Sequence, residues 1–169
     1  MITFRHFLGI SLSTCGLVPN IRNLMQLDLP ITLSVSLHAP TDEVRSSIMP
    51  VNNAYPIKEL IGAVREYVAF TKRRVSFEYA IINGVNDSDE CAKTLATMLR
   101  GMLCHVNLIP VNKVKENSFE KPSKERIKAF MAVLERSGIA VTVRRELGSD
   151  ISASCGQLRR NNEKKEELL

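Results

Sequence analysis

Five short segments of this sequence read as strands, and helical periodicity fills the intervals that follow the second, third and fourth. That alternation limits the fold more than any other feature. FLGISLST (7–14), ITLSVSLHA (31–39), RVSFEYAII (74–82), HVNLIPV (105–111) and AVTVRRE (140–146) alternate or run apolar as buried strands do. In IKELIGAVREYVAF, residues Ile57, Leu60, Ile61, Val64, Tyr67 and Val68 recur at helical spacing behind Pro56. In DSDECAKTLATMLRG, Asp87 is the expected N-cap with Glu90 three residues on, and Ala92, Leu95, Ala96 and Leu99 form the apolar stripe. In SKERIKAFMAVLERSG, Ser123 caps, Ile127, Phe130, Met131 and Leu134 face inward, and Gly138 ends the helix. Strands separated by helices need crossover connections, which make the sheet parallel and the class α/β.

A closed eight-unit barrel takes about 250 residues. The 169 residues here therefore make either an open sheet or part of a barrel. The first strand begins within a few residues of Met1, which leaves its outer edge bare, and a bare parallel edge invites aggregation. The expectation is one domain with N-terminal units missing, followed by a polar tail over 161–169 (NEKKEELL with its preceding Asn).

Hydrophobic residues at 44% and charged residues at 24% are globular proportions, which excludes wholesale disorder. Apolar runs are short and broken by charge, so no membrane span is expected, and MITFRHFLGISL has no signal-peptide pattern. Cys15, Cys91, Cys104 and Cys155 show neither disulfide-framework nor zinc spacing, which points to a reducing cytoplasmic setting with most cysteines as packing residues. The net charge of +5 permits an anionic partner such as RNA without demanding one.

Parallel sheets and barrels bind ligands beyond the carboxyl ends of their strands. Those ends carry Ser13-Thr14-Cys15-Gly16, then Ser36-Leu37-His38, then Glu78, then Asn107 and Asn112, and last Arg144, Arg145 and Gly148 leading to Cys155. Alternation puts Ser34, Ser36 and His38 on one face. Each has a structural alternative: Ser13 as a helix cap, Glu78 as a partner of Arg73 or Arg74, Asn112 as a loop brace. Together they can form a polar ring able to hydrogen-bond a nucleoside. Cys155 stands apart, between Ser154 and Gly156 in DISASCGQL rather than among apolar neighbours.

The strings STCGLVPNI, SLHAPTDEVRSSIMPVN, FEYAIINGVNDS, NLIPVN and ISASCGQL, in that order, resemble the radical S-adenosylmethionine (SAM) RNA methyltransferases of the RlmN and Cfr type, over about residues 9 to 160. The resemblance implies a partial (β/α) barrel, with residues 1–160 as the C-terminal part of the catalytic barrel. It implies that Ser13, Ser36, Leu37, His38 and Asn112 contact SAM, and that Cys155 is the cysteine that becomes S-methylated. Carbon 2 of adenine lies between two ring nitrogens and is too electron-poor to attack a methyl sulfonium. The resemblance implies a detour. The Cys155 thiolate takes a methyl group from one SAM. A 5′-deoxyadenosyl radical from a second SAM removes hydrogen from that methyl. The methylene radical adds to adenine, and a second cysteine resolves the adduct by forming a disulfide with Cys155. Ser154 and Gly156 would allow the close approach.

The family's CxxxCxxC, which binds a [4Fe–4S] cluster, is not in this chain, and neither are its Gly-Glu pair and its resolving cysteine. No metal role passes to Cys15, Cys91 or Cys104, and a chain without the cluster is expected to be inactive alone. Implied partners are 23S ribosomal RNA and, as in some relatives, transfer RNA. Basic residues suit such a partner: Lys72 to Arg74, then Lys113, Lys115, Lys121, Lys124, Arg126 and Lys128, then Arg144 and Arg145. Two other functions fit the same residues, a Cfr-like enzyme acting on adenine carbon 8 and a non-catalytic RNA-binding remnant. A metabolic enzyme for a phosphorylated substrate would favour a glycine-rich phosphate loop, and none is found.

Overall fold

The computed structural model describes residues 10–27, 29–111 and 119–144. Asn112, Lys113, Lys115, Arg145, Gly148, Cys155 and the 161–169 tail lie outside them. Along the chain come β1 (Ile10–Thr14), α1 (Val18–Met25), β2 (Ile31–Ser36), α2 (Asp42–Ile48), a 3-10 turn (Pro50–Asn53), α3 (Ile57–Thr71), β3 (Val75–Ile81), α4 (Asp89–Leu99), β4 (Cys104–Pro110), α5 (Lys124–Arg136) and β5 (Ala140–Val143). The five expected strands are all present. The sheet runs β1-β2-β3-β4-β5 with every pair parallel.

That order decides between the two architectures left open by the sequence. A doubly wound sheet reverses its strand order and places helices on both faces. Here each crossover steps to the next strand without reversal, and crossovers of one hand then lay every helix on the same face. The result is an arc of a (β/α) barrel. Leu33, Val35, Val75, Phe77, Tyr79, Val106 and Leu108 fill the helix-side face and are buried. Ile57, Leu60, Ile61, Val64 and Tyr67 of α3, Leu95 and Leu99 of α4, and Ile127, Phe130 and Leu134 of α5 pack onto it in one core. At the β1 edge, Ile10 and Leu12 stay 56% and 43% exposed.

The elements follow their local signals with three differences. Ser88, not Asp87, caps α4, its Oγ accepting from Cys91 N at 3.1 Å. Asp87 instead accepts from Gly84 N at 3.0 Å and closes the preceding loop, so the second of two adjacent acceptors is left to cap. Ser123 caps α5 as expected, and Gly138 follows that helix with φ +75°. Helices α1 and α2 were not anticipated. At eight and seven residues they are shorter than the window over which periodicity is read. Strand β2 ends at Ser36 rather than continuing to Ala39, because His38 takes φ +61° and turns the chain out of the ladder.

Tyr79 and Phe130 meet under β3 with ring centroids 5.3 Å apart, tilted by 39°. Phe130 has no exposed surface. Phe130→Ala is expected to cost about 3–5 kcal/mol of stability, read as a lower urea midpoint. A loss under about 1 kcal/mol, the cost of a volume-conserving swap, would show that α5 is not packed as described.

Candidate functional site: a polar sheet face and its strand-end corner

Side chains alternate across a strand, so register fixes which residues share the face away from the helices. One cross-strand row on that face is Ser13, Ser34, Ser76 and His105; the next is Ser36, Glu78, Asn107 and Thr142. Barrel interiors are ordinarily filled with branched apolar side chains. This one carries hydroxyls, an amide, an imidazole and a carboxylate. Such a face can hydrogen-bond a polar ligand.

The groups on that face are ordered. Glu78 accepts from Asn107 Nδ2 at 2.8 Å and from Ser76 Oγ at 3.2 Å. A carboxylate can only accept, which aims the Asn107 carbonyl at Thr142, whose hydroxyl donates to it at 3.3 Å. Thr142 Oγ1 lies 2.8 Å from His105 Nε2 and, with its proton committed to Asn107, accepts from that nitrogen. Burial and then Arg74 hold the His105 pKa below its usual value, against an opposing pull from Glu78. Glu78 thus serves the network rather than pairing with Arg73 or Arg74.

At the carboxyl end of β1 and β2 the organising residue is Arg45 of α2, which is fully buried. Its Nε donates to Leu37 O at 3.1 Å, its Nη2 to Cys15 O at 2.8 Å and Ser36 O at 3.2 Å. Its Nη1 donates to Asn52 Oδ1 at 2.9 Å and Tyr55 O at 3.5 Å. Five donors meet five acceptors, and none is a carboxylate. Asn52 passes the link on to Asp42, whose Oδ1 also accepts from Ile57 N at 2.8 Å and so fixes the start of α3. Gly16 lets β1 approach this corner. It has φ +103°, and a Cβ there would lie 3.0 Å from Leu60 Cδ2 and 3.2 Å from Arg45 Nη2.

Ser13 sits inside β1 opposite Ser34 and does not cap α1, which starts behind Leu17 with no side-chain cap. Ser36 ends β2 opposite Glu78, and buried Leu37 follows it. His38 lies beyond the strand, so alternation no longer places it. Its Nδ1 accepts from Ala80 N at 2.9 Å, and burial followed by Arg45 pushes its pKa down to about 4. Arg45, Asn52 and Asn86 were not singled out from the sequence. Nothing in DEVRSSI sets Arg45 apart from an ordinary surface charge, and only the contacts show that it is buried.

Among the described residues no group of three or more His, Cys, Asp or Glu could hold a metal ion. Cys15 is exposed beyond the carboxyl end of β1, whereas Cys104 opens β4 at the opposite end of the sheet, buried and with its thiol pushed up to about 11. These thiols do not fit a shared iron–sulfur cluster. Lys72–Arg74 precede β3 and so lie at the end of the sheet away from the strand-end corner, and Arg126 is ion-paired with Asp89.

No family model matches the sequence. Among curated proteins, a probable dual-specificity RNA methyltransferase RlmN from Clostridium perfringens (strain SM101 / Type A) is 54% identical over 152 residues, 90% of this chain and 44% of that protein. One of the same name from Clostridioides difficile (strain 630) is 56% identical over 159 residues, 94% and 46%. The crystal structure of a radical SAM methyltransferase from Sphaerobacter thermophilus superposes with TM-score 0.84 at 55% identity, over 88% of this chain and 43% of that one. Over about nine-tenths of its length the chain is homologous to RlmN-type radical SAM methyltransferases. It spans about half the length of the curated relatives it matches. A domain of a pyruvate-formate lyase-activating enzyme from Bacteroides vulgatus, at 19% identity and TM-score 0.65, shares the fold.

Two outcomes test this corner. Arg45→Met keeps much of the side-chain length but strands the Cys15, Ser36 and Leu37 carbonyls, and is expected to cost about 3–5 kcal/mol in urea unfolding. Arg45→Lys should recover little, since one ammonium cannot span five acceptors. The second outcome concerns pH. The folded His38 pKa lies below the ordinary value of 6.5, so the unfolded chain takes up the proton first as pH falls. The stability His38 contributes is full above pH 6.5 and is lost as pH drops towards 4. The advantage of the wild-type chain over His38→Asn, which tolerates φ > 0 and does not titrate, should shrink over that window by on the order of 2–3 kcal/mol. A gap that does not change with pH would mean that Nδ1 is not the acceptor.

Proposed function

We propose that this chain forms part of a radical SAM methyltransferase that methylates carbon 2 of an adenine in 23S ribosomal RNA, with transfer RNA as the further substrate to test. The observation that carries the reading is the polar sheet face, which ends in Ser13, Ser36 and His38 at one corner. Such a face supplies uncharged donors and acceptors of the kind a nucleoside needs. The names of the relatives, which specify RNA and dual specificity, support the substrate class.

In this reading Ser13, Ser36, Leu37, His38 and, from its sequence position, Asn112 hold SAM. SAM supplies an electrophilic methyl group and, with a reduced [4Fe–4S] cluster, a hydrogen-abstracting radical. The cluster finds no ligand set among the described residues. Cys155 receives the methyl: its thiolate sulfur bonds the methyl carbon, the carbon–sulfonium bond breaks, and S-adenosylhomocysteine leaves. The S-methyl cysteine is then the carbon donor for adenine. The reaction belongs in the cytoplasm with its RNA. Among the described residues no helix is long and apolar enough to cross a membrane.

The test is a chimaera in which residues 10–160 replace the matching segment of the Clostridioides difficile relative, expressed in cells that lack the carbon-2 mark. Mass analysis of ribosomal adenosine should show carbon-2 methylation restored, and Cys155→Ala should abolish it. A carbon-8 mark would move the chain to the Cfr type. Salt-sensitive RNA binding without methylation, indifferent to Cys155→Ala, would support the remnant instead.

A further inference from the structure

The end of β2 contains a substitution in the ladder that the sheet itself does not require. With Ser36 opposite Glu78, Leu37 N donates to Glu78 O at 3.0 Å, so the next parallel rung would run from Ala80 N to Leu37 O. It does not form. Leu37 O is taken by Arg45 Nε, and Ala80 N donates to His38 Nδ1 at 2.9 Å. An imidazole stands in for a carbonyl, and His38 reaches that position only with φ +61°, a conformation that side chains other than glycine's rarely adopt.

A backbone N–H can only donate, so the Nδ1 that receives it carries no proton, and the proton of the neutral ring sits on Nε2. Asn86 clamps both residues of this rung. Its Nδ2 donates to His38 O and to Ala80 O, each at 2.7 Å, and its Oδ1 accepts from Ile82 N at 2.7 Å. Tyr79 OH donates to Asn86 O at 2.8 Å, and Asn86 is fully buried. Every polar atom of the amide is used, so it has no alternative orientation. Nε2 of His38 has no protein partner among the described residues. His38 itself is only partly buried.

We propose that Asn86 is a positioning residue that locks His38 as a neutral Nε2–H donor, and that this hydrogen is given to an acceptor atom of the adenosine-containing ligand. The ligand half rests on the function proposed above; the lock itself does not. The role differs from that of a proton acceptor, because the only nitrogen free to meet a ligand already carries its proton. The charged groups around the ring agree. The Arg45 guanidinium disfavours a second positive charge there, and the Glu78 carboxylate is bonded to Ser76 and Asn107, while its backbone carbonyl accepts from His38 N at 3.3 Å.

The experiment uses the whole 169-residue chain, labelled with 15N-histidine and observed by long-range 1H–15N correlation at neutral pH, first alone and then with saturating SAM. The expected spectrum of the free chain shows His38 with an unprotonated Nδ1 and a protonated Nε2. Addition of SAM should shift the Nε2 signal and slow exchange of its hydrogen. In Asn86→Ala the two tautomers should mix and SAM affinity should fall roughly tenfold or more, the scale known for outer partners of metal-ligating histidines. Should that variant fail to fold, the wild-type spectrum decides alone. An Nδ1–H tautomer, an imidazolium or an averaged pair in the free wild-type chain overturns the lock. Binding of SAM that leaves Nε2 unmoved overturns the donor role. Absence of any SAM response, with the Nε2–H tautomer present, overturns the ligand assignment and its donor role while the lock stands.

Discussion

One buried guanidinium decides how two strands of this sheet end. The last carbonyls of parallel strands run out of ladder partners, and a loop must satisfy them or they stay unpaired in a dry environment. Arg45 takes those of Cys15, Ser36 and Leu37 at once, and the cost of burying a cation without a direct carboxylate is offset by filling all five of its donors. The consequences spread outward from there. Because Leu37 O turns to Arg45, Ala80 N is left for the His38 ring; because His38 must bend into the left-handed region to reach it, its carbonyl is left for Asn86. Burial first, and then the same guanidinium, keeps the imidazole neutral. Geometry and protonation state are therefore linked through Arg45.

The sheet face beyond that corner follows a second logic. Its order begins at Glu78, the one group in its chain of contacts that can only accept, and passes through Asn107 to Thr142 and His105. Each step fixes the donor or acceptor sense of the next, which gives the face a defined pattern of polarity before any ligand arrives. Preorganisation of this kind lowers the cost of ordering polar groups on binding. The helix-side face, by contrast, is occupied by packing alone.

Much of this could be read in the residues. All five strands and the three longer helices were placed by periodicity, because a half-buried strand and an amphipathic helix each repeat their burial pattern several times. Helices α1 and α2 escaped because each makes only about two turns, too few for a period to show. The strand pattern placed Ser13, Ser36 and His38 near the carboxyl ends of β1 and β2, where the structure has them. Asn112 and Cys155 lie outside the described residues. Arg45 and Asn86 were not legible, and the reason is physical. A helix charge is nearly always solvated, and an asparagine in a loop most often braces its own turn. Nothing local in DEVRSSI or INGVNDS says that their partners are the ends of β1, β2 and β3. Long-range contacts of one side chain with several carbonyls leave no period behind.

The electrostatics of the corner bear on which ligand suits it. A site for a phosphorylated metabolite offers spare cationic or backbone donors, typically a glycine-rich turn at a helix N-terminus. Among the described residues of this corner Arg45 has no donor to spare, since every one of its N–H groups is already engaged. The imidazole is neutral, and the carboxylate of Glu78 accepts two hydrogen bonds. A face with one negative charge and many neutral donors and acceptors disfavours a phosphate and suits a ligand that is uncharged or carries a positive centre. A nucleoside bearing a sulfonium meets that description. The phosphates of an RNA substrate do not, and would be expected to remain at the rim while a base enters. In the proposed reaction this polarity would hold the nucleoside cofactor at the corner and leave the RNA phosphates outside it.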